Sequence, residues 1–515
     1  MKRPQLVSPG SLNRMLQSAN EAWERRDFQQ SFELLERASR LDPANSRILL
    51  QMGQQYGRRC DYAAAERCFE KAVRVAPRKT EVLATAARLS VDFASHQLAE
   101  HFFRLALEQK DASPETFARL AELYERLRRL PEASSLVEQA LQLDANCALA
   151  QLTRARLNRQ AGLLEEAERV LRPILASAGR EIRIRGYYEL GAILDRQGRY
   201  DEAMTAFLEA KALLLPDAPP LLAQLQLIIK HLNEMKNSVS AEMLARWSDS
   251  GREFLQPAHR MAFLGGHARS GTTLLEQVLD SHPDIVSAEE TDIFLEDAYA
   301  TLQRNLPHET SMLAGLDTAS VETLRQARER YFQSMSLWLG RPPGERLFID
   351  KNPSLQALII AFIRIFPEAR LIVALRDPRD VVLSCFMMPH CPITTVSVTF
   401  LNLEGAVETY SRVMGIWRTL QPLVKNPWLE VRYEDMVDDL ESVARKTLDF
   451  LGVAWDDCVL GFDEHARQKK VRSPTYADVA QPVYKRARGR WRNYQKYLEP
   501  HLSKLEPFVK AFGYE

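Results

Sequence analysis

The chain has 515 residues, enough for two to four domains at roughly 100–200 residues each. Hydrophobic residues make up 46% and charged residues 26%, close to soluble globular averages, which excludes a disordered, collagen-like or low-complexity chain as the overall class. The 68 Lys+Arg balance the 68 Asp+Glu, so bulk charge gives no support for nucleic-acid binding.

No run approaches the ~18–20 uninterrupted apolar residues that span a bilayer; the best stretch, Leu358 to Phe366, is broken by Arg364. No membrane span is therefore expected. The opening MKRPQLVSPGSLN has two basic residues but no apolar segment behind them, a poor secretory signal, so the expected localisation is cytoplasmic. Six cysteines show neither CxxC pairs nor metal-ligand spacing, which fits reduced thiols and no metal.

From Leu12 to about Pro216 the sequence repeats. Pro43, Pro77, Asp111 and Ala145 follow one another at 34-residue steps, as do Ala65, Ala99, Ala133, Ala167 and Phe69, Phe103, Val137, Leu171. Ala38, Ala72, Ala106 and Ala140 form a third register. Small residues let two antiparallel helices approach where they cross, and a bulky residue one turn on fills the groove. Gly53 with Tyr56 and Ala121 with Tyr124 supply the same pair on the first helix of a unit. The pattern resembles the tetratricopeptide repeat over about six units. The fifth is degenerate, with Asn158 at the aromatic position, and the sixth is offset to Ala203, Phe207 and Ala210 by extra residues around Gly179. The resemblance implies an all-α superhelix over 12–216 whose concave face takes a protein or peptide partner. Residues 217–256, with apolar helical spacing through Leu221, Leu225, Ile228 and Leu232, are expected to cap the array and link it to a second domain at 257–515.

Beyond that boundary short apolar runs alternate with helical stretches. Met261–Leu264, Leu347–Ile349, Arg370–Leu375 and Trp428–Val431 are predicted strands, which implies an α/β domain with a parallel sheet. The first run leads into Gly265-Gly266-His267-Ala268-Arg269-Ser270-Gly271-Thr272-Thr273 and then a helical LLEQVLDSH. Strand, glycine loop and helix together aim backbone N–H groups and a helix N-terminus at one point, an oxyanion cradle. The spacing Gly266-x4-Gly271 is that of a P-loop, but Thr272 stands where a nucleoside triphosphatase has its lysine, which disfavours kinase or ATPase chemistry. Arg376-Asp377-Pro378-Arg379-Asp380-Val381-Val382-Leu383-Ser384 leaves another strand end and enters a helix, putting Arg376 and Ser384 at the same sheet edge, suited to a second phosphate.

Two phosphate sites without the P-loop lysine resemble the sulfotransferase family, whose donor is 3′-phosphoadenosine 5′-phosphosulfate. The likeness covers about 255 residues. It implies that Arg269, Ser270, Gly271, Thr272 and Thr273 hold the 5′-phosphosulfate and that Arg376 and Ser384 hold the 3′-phosphate. VRYEDMV would bring Tyr433 to the adenine, and Tyr484 together with Gly489-Arg490-Trp491-Arg492 would close the nucleotide site, Arg490 and Trp491 forming a lid over the 3′-phosphate. Within the family, Asp280-Ser281-His282-Pro283 followed by Glu289-Glu290-Thr291 is most similar to tyrosylprotein sulfotransferases and their bacterial relatives. That likeness makes Glu290 the base and places Lys351, in Asp350-Lys351-Asn352-Pro353, and Thr475, in Ser473-Pro474-Thr475, with Arg269 at transition-state-stabilising positions. Ala268 departs from a usual proline, and Met388 stands where a further basic phosphate ligand is expected.

The chemistry asks for these residue types. An acceptor hydroxyl must lose its proton as it attacks sulfur in line, and a phenol with a pKa of about 10 needs a positioned carboxylate. Cations opposite stabilise the charge that develops on the leaving nucleotide; no metal is called for. Glu289 and His267 remain alternatives to Glu290 as the base, although a loop histidine is more commonly a solvated side chain. His282 is expected to cap a helix end. The basic run from Arg467 to Lys496 is in part assigned to the donor, with the remainder free to attract an acidic acceptor. The expected function is transfer of a sulfuryl group to a hydroxyl, first a protein or peptide tyrosine, alternatively a small-molecule, lipid or glycan alcohol. A third alternative is a repeat scaffold that binds nucleotide without turnover.

Overall fold

A computed structural model describes residues 9–255, 259–304, 306–307, 310–468, 483 and 485–514. Thr475 and Tyr484 lie outside the described residues. The chain divides into two compact units, 1–154 and 155–515, so compactness groups the last repeat helices with the sheet rather than with the earlier repeats.

Twelve successive helices occupy 9–214 among the described residues: α1 (Pro9–Glu24), α2 (Phe28–Leu41), α3 (Ser46–Arg58), α4 (Tyr62–Val75), α5 (Lys79–Asp92), α6 (His96–Leu107), α7 (Pro114–Arg126), α8 (Leu130–Leu143), α9 (Ala148–Gln160), α10 (Leu164–Ser177), α11 (Arg180–Arg196) and α12 (Tyr200–Leu214). The periodic small and large residues are the buried ones. Ala65, Ala99, Ala133 and Ala167 are fully enclosed, as are Phe69 and Leu171, while Phe103 and Val137 are nearly so. Asp27 and Asp61, one repeat apart, accept from the backbone N–H of Gln30 and Ala64, satisfying donors that the first turns of α2 and α4 would otherwise leave open. A Cβ on Gly53 would come within 2.4 Å of Phe69, which is why a glycine marks that helix crossing.

α13 (Ala218–Ser238) and α14 (Ala241–Phe254) follow. One stretch, Tyr200–Ser238, is long and apolar enough by length and composition to cross a membrane, where the sequence pattern led to no expected span. Within it the short 3₁₀ helix Leu215–Asp217 joins α12 to α13. Ala203, Phe207 and Ala210 in its first half are buried in the protein, while Leu222, Leu227 and Ile228 of α13 are exposed.

The sheet comprises β1 (Met261–Gly266), β2 (Ile285–Glu289), β3 (Leu347–Lys351), β4 (Arg370–Leu375) and β5 (Trp428–Arg432), all parallel, in the order β2-β3-β1-β4-β5. Four of these are the predicted strands, extended by one or two residues at three of their ends. β2 is additional: IVSAE is short, and its polar Ser287 and Glu289 are buried, so it shows neither alternation nor an apolar run. β1 is enclosed along its whole length. Ala262 and Leu264 face a core with Ile349, Ile372 and the helix α15 (Thr272–Asp280), through Leu275, Val278 and Leu279. Phe263 belongs to an aromatic layer, its ring 4.7 Å from that of Phe362. After β1 the chain leaves toward β2 and β3, and after β4 toward β5. The strand order therefore reverses between β1 and β4, where ligands of open parallel sheets bind beyond the carboxyl ends of the strands.

Candidate active site

The loop after β1 and the loop after β4 meet at this reversal. Gly266 pairs with Ala374, and a Cβ there would sit 2.4 Å from the Ala374 carbonyl oxygen, so the strand can end so close to its neighbour only with glycine. The loop turns through two left-handed residues, Arg269 at φ 72° and Gly271 at φ 90°. Gly271 precedes α15, and a Cβ on it would come within 2.7 Å of the Tyr433 ring. Thr272 and Thr273 are buried at the first turn of α15, Ser270 is buried before them, and a helix N-terminus beside a glycine turn favours an anion.

The two predicted anchors are in contact. Arg269 Nε donates to Ser384 Oγ at 2.9 Å, which links the first loop to the helix Pro378–Met387. Arg376 Nη1 donates to the Arg269 carbonyl at 3.1 Å, and Nη2 to the Ala487 carbonyl at 2.5 Å. The Arg376 guanidinium lies 4.9 Å from the centre of the Tyr433 ring. Its Nε is buried without a hydrogen-bond partner among the described residues, as is Nε1 of Trp491. Buried donors left open are costly unless a ligand engages them, and both belong to residues predicted to hold the nucleotide.

Asp380 was not singled out from the sequence, and it ties the segment at Gly489–Trp491 to the helix after β4. Its carboxylate accepts from the backbone N–H groups of Gly489 at 2.6 Å and Trp491 at 2.8 Å. Burial raises its pKa above the ordinary carboxylate value against the opposing charge of Arg376. Asp377 caps the helix and clamps Arg379, whose guanidinium lies 4.2 Å from the Trp491 ring centre. The RDPRD motif carries these acids in plain view; only the return of residues 489–491 to that helix assigns them a task.

At the neighbouring strand ends, Glu289 pairs in register with Lys351. Lys351 is fully buried; its Nζ lies 2.7 Å from Glu290 Oε1 and 3.4 Å from both Glu289 Oε1 and Glu276 Oε2. Burial pulls the Lys351 ammonium down, but the charges of Glu276, Glu290 and Glu289 outweigh it, so its pKa stands above the usual lysine value. Glu290 holds a left-handed φ of 48°, donates its N–H to the Lys351 carbonyl at 2.8 Å, and has the most exposed carboxylate of the three. Glu276 was missed in the sequence because it lies in an apparently ordinary helix; Ser287 Oγ donates to it at 2.6 Å.

Two expectations change. His267 is buried rather than solvated: its ring packs 5.1 Å from that of Tyr410, Nδ1 lies 2.9 Å from the Ala268 carbonyl, and burial pushes its pKa down to about 4. A neutral, enclosed ring is poorly placed to take a proton from an external acceptor. Five basic residues of the run are paired among the described residues. Lys485 and Arg488 bind Asp438, Arg467 binds Asp463, Lys496 binds Asp201, and Arg490 binds Asp195. His282 lies just past α15, where Nδ1 accepts from the Asp284 N–H and Nε2 lies 3.0 Å from the Ala454 carbonyl.

Residues 262–457 match the family model described as the sulfotransferase family, and residues 184–213 match a tetratricopeptide repeat. An uncharacterized protein of Aquifex aeolicus (strain VF5) is 23% identical over 418 residues, 79% of this chain and 52% of that protein, so the chain spans about half of that relative's length. Protein-tyrosine sulfotransferase 1 of Danio rerio is 26% identical over 264 residues, 50% of this chain and 72% of that one. The solved sulfotransferase domain of the Synechococcus PCC 7002 olefin synthase is 22% identical, covers 51% of this chain and 98% of its own, and has a TM-score of 0.37. Residues 262–457 thus form a domain of the sulfotransferase family, and it follows helical repeats of which 184–213 match the tetratricopeptide repeat.

Proposed function

We propose that the unit 155–515 transfers a sulfuryl group from 3′-phosphoadenosine 5′-phosphosulfate to an acceptor hydroxyl, the acceptor being a tyrosine of a protein or peptide. One observation carries the donor assignment: the Arg376 guanidinium donates to the carbonyl of Arg269, so the two loops that bear the proposed phosphate anchors are in contact at the strand-order reversal. The open Nε of Arg376 and Nε1 of Trp491 fit a ligand with further acceptor oxygens. When bound, the donor supplies an electrophilic sulfur and a nucleotide leaving group.

The chain's own residues do the rest. Glu290 takes the proton of the acceptor hydroxyl. Lys351 keeps its proton among three carboxylates and stabilises, with Arg269, negative charge developing on the leaving side. Ser270, Thr272, Thr273 and the N-terminus of α15 hold the 5′ end, Ser384 orients Arg269, and Tyr433 forms a wall. The names of several relatives, among them protein-tyrosine sulfotransferases of Danio rerio and Drosophila melanogaster, support tyrosine as acceptor. The repeats serve to recruit the acceptor protein or its partner, and the cytoplasm remains the proposed compartment.

The test is incubation of the full chain with labelled donor and a tyrosine-peptide library, beside Glu290→Gln. The variant should lose about 10²–10⁴ in turnover and still bind adenosine 3′,5′-bisphosphate. Sulfation of alcohols but not phenols would move the acceptor to the small-molecule class, and no bisphosphate binding by the wild type would remove the reading.

A further inference from the structure

Asp195 sits at the end of α11, in the sixth repeat, where a carboxylate opposes the helix dipole and gains nothing from its own helix. Its partners explain its presence. Oδ1 accepts from Arg490 Nε at 3.1 Å and from the Tyr494 hydroxyl at 2.7 Å, and Oδ2 lies 2.8 Å from Arg490 Nη2. One carboxylate thus takes the Nε/Nη2 edge of the guanidinium side-on, a two-point contact that fixes the plane as well as the position of the group. The Nη1 amino group carries no hydrogen bond among the described residues. Tyr494 is fully buried, and its ring meets that of Tyr200 edge-on at 5.4 Å.

The short helix Arg490–Tyr494 is therefore held from two sides. Asp380, on the helix after β4, grips its backbone at Gly489 and Trp491. Asp195, from the repeat, grips its side chains.

We infer that Asp195 is a positioning residue of the donor site: the sixth repeat holds the lid arginine by one edge so that the other edge is presented to the 3′-phosphate. This rests on the assignment of Arg490 to that phosphate under the proposed function. The sixth repeat is then a structural part of the nucleotide site and not solely a recruiting module. A lost charge-assisted two-point contact should weaken a phosphate-dependent ligand by about tenfold and leave one lacking that phosphate alone.

The test is calorimetric titration of the full chain with adenosine 3′,5′-bisphosphate and with adenosine 5′-monophosphate, for wild type, Asp195→Asn, Asp195→Glu and Asp201→Asn. Asp201 binds Lys496 and Tyr497 farther along the same contact and serves as the control. Asp195→Asn is expected to bind the bisphosphate about tenfold more weakly with the monophosphate within about twofold of wild type; Asp195→Glu should recover most of the loss, and Asp201→Asn should change neither. Tyr494→Phe, which removes one of the two donors to Asp195 and keeps the aspartate's charge, should give about a threefold loss for the bisphosphate alone and reads the same contact where the first variant folds poorly. An unchanged bisphosphate affinity in Asp195→Asn, or equal losses for both nucleotides, overturns the positioning role. A wild type that does not distinguish the two nucleotides overturns the donor assignment instead.

Discussion

The repeats of the first unit and those of the second make the same turn with different residues. Between the two helices of each pair the chain passes through a left-handed position: Arg26, Cys60, Ala94 and Arg128 in the first unit, Gly162 and Gly198 in the second. The first five are 34 residues apart, and the sixth is displaced by the extra residues before α11. Side-chain-bearing residues in this conformation cost about 1–2 kcal/mol each, which glycine avoids. The first unit carries that strain four times. The second unit is relaxed at its turns but carries its strain in the site, at Arg269 and Glu290, and gathers three carboxylates around the buried Lys351.

The largest test of this contrast is Lys351→Met. It leaves Glu276, Glu289 and Glu290 together without their cation, and should lower stability by about 3–5 kcal/mol at pH 7, with partial recovery on acidification, read by urea unfolding. Equal stability at pH 5 and 7 would contradict a charge origin. Next is Asp350, fully buried beneath the Tyr331 hydroxyl at 2.6 Å, whose pKa burial pushes up to about 7. Because the folded pKa lies above the unfolded one, about 3.9, this group's contribution is full below that value and is lost as pH rises toward 7. Asp350→Asn should therefore gain on the order of 2 kcal/mol over wild type at pH 8 and much less at pH 5; a pH-independent difference would sink the assignment. The smallest effects separate the turns. Ala94→Gly should stabilise by about 1 kcal/mol, and Gly162→Ala, where a Cβ meets nothing within 4 Å, should destabilise by about the same through backbone strain alone. Opposite signs in thermal melts support the comparison, and a common sign breaks it.

Much of this architecture was legible in the residues. The alanine and phenylalanine registers marked the buried face of the repeats because each unit packs on near neighbours, so its contacts recur at a fixed step. The glycine loop and the RDPRD segment marked the candidate edge of the sheet because tight turns and close strand approaches demand particular residue types. The left-handed turns of the first four repeats were not visible, since no glycine announces them. β2 was hidden for a different reason: its buried Ser287 and Glu289 answer to Glu276, on the preceding helix, and to Lys351, 62 residues further along the chain.

The amino-acid order alone determined the kind of elements, the repeat period and the chemistry available at the strand ends, because these depend on backbone preference and side-chain type within a few turns of chain. Only the tertiary structure decided that the strand order reverses between β1 and β4, that three carboxylates share one lysine, and that Asp195 of the sixth repeat holds Arg490. Those contacts join residues as many as 295 positions apart, and an ion pair or a strand pairing leaves no periodic trace in either partner's neighbourhood.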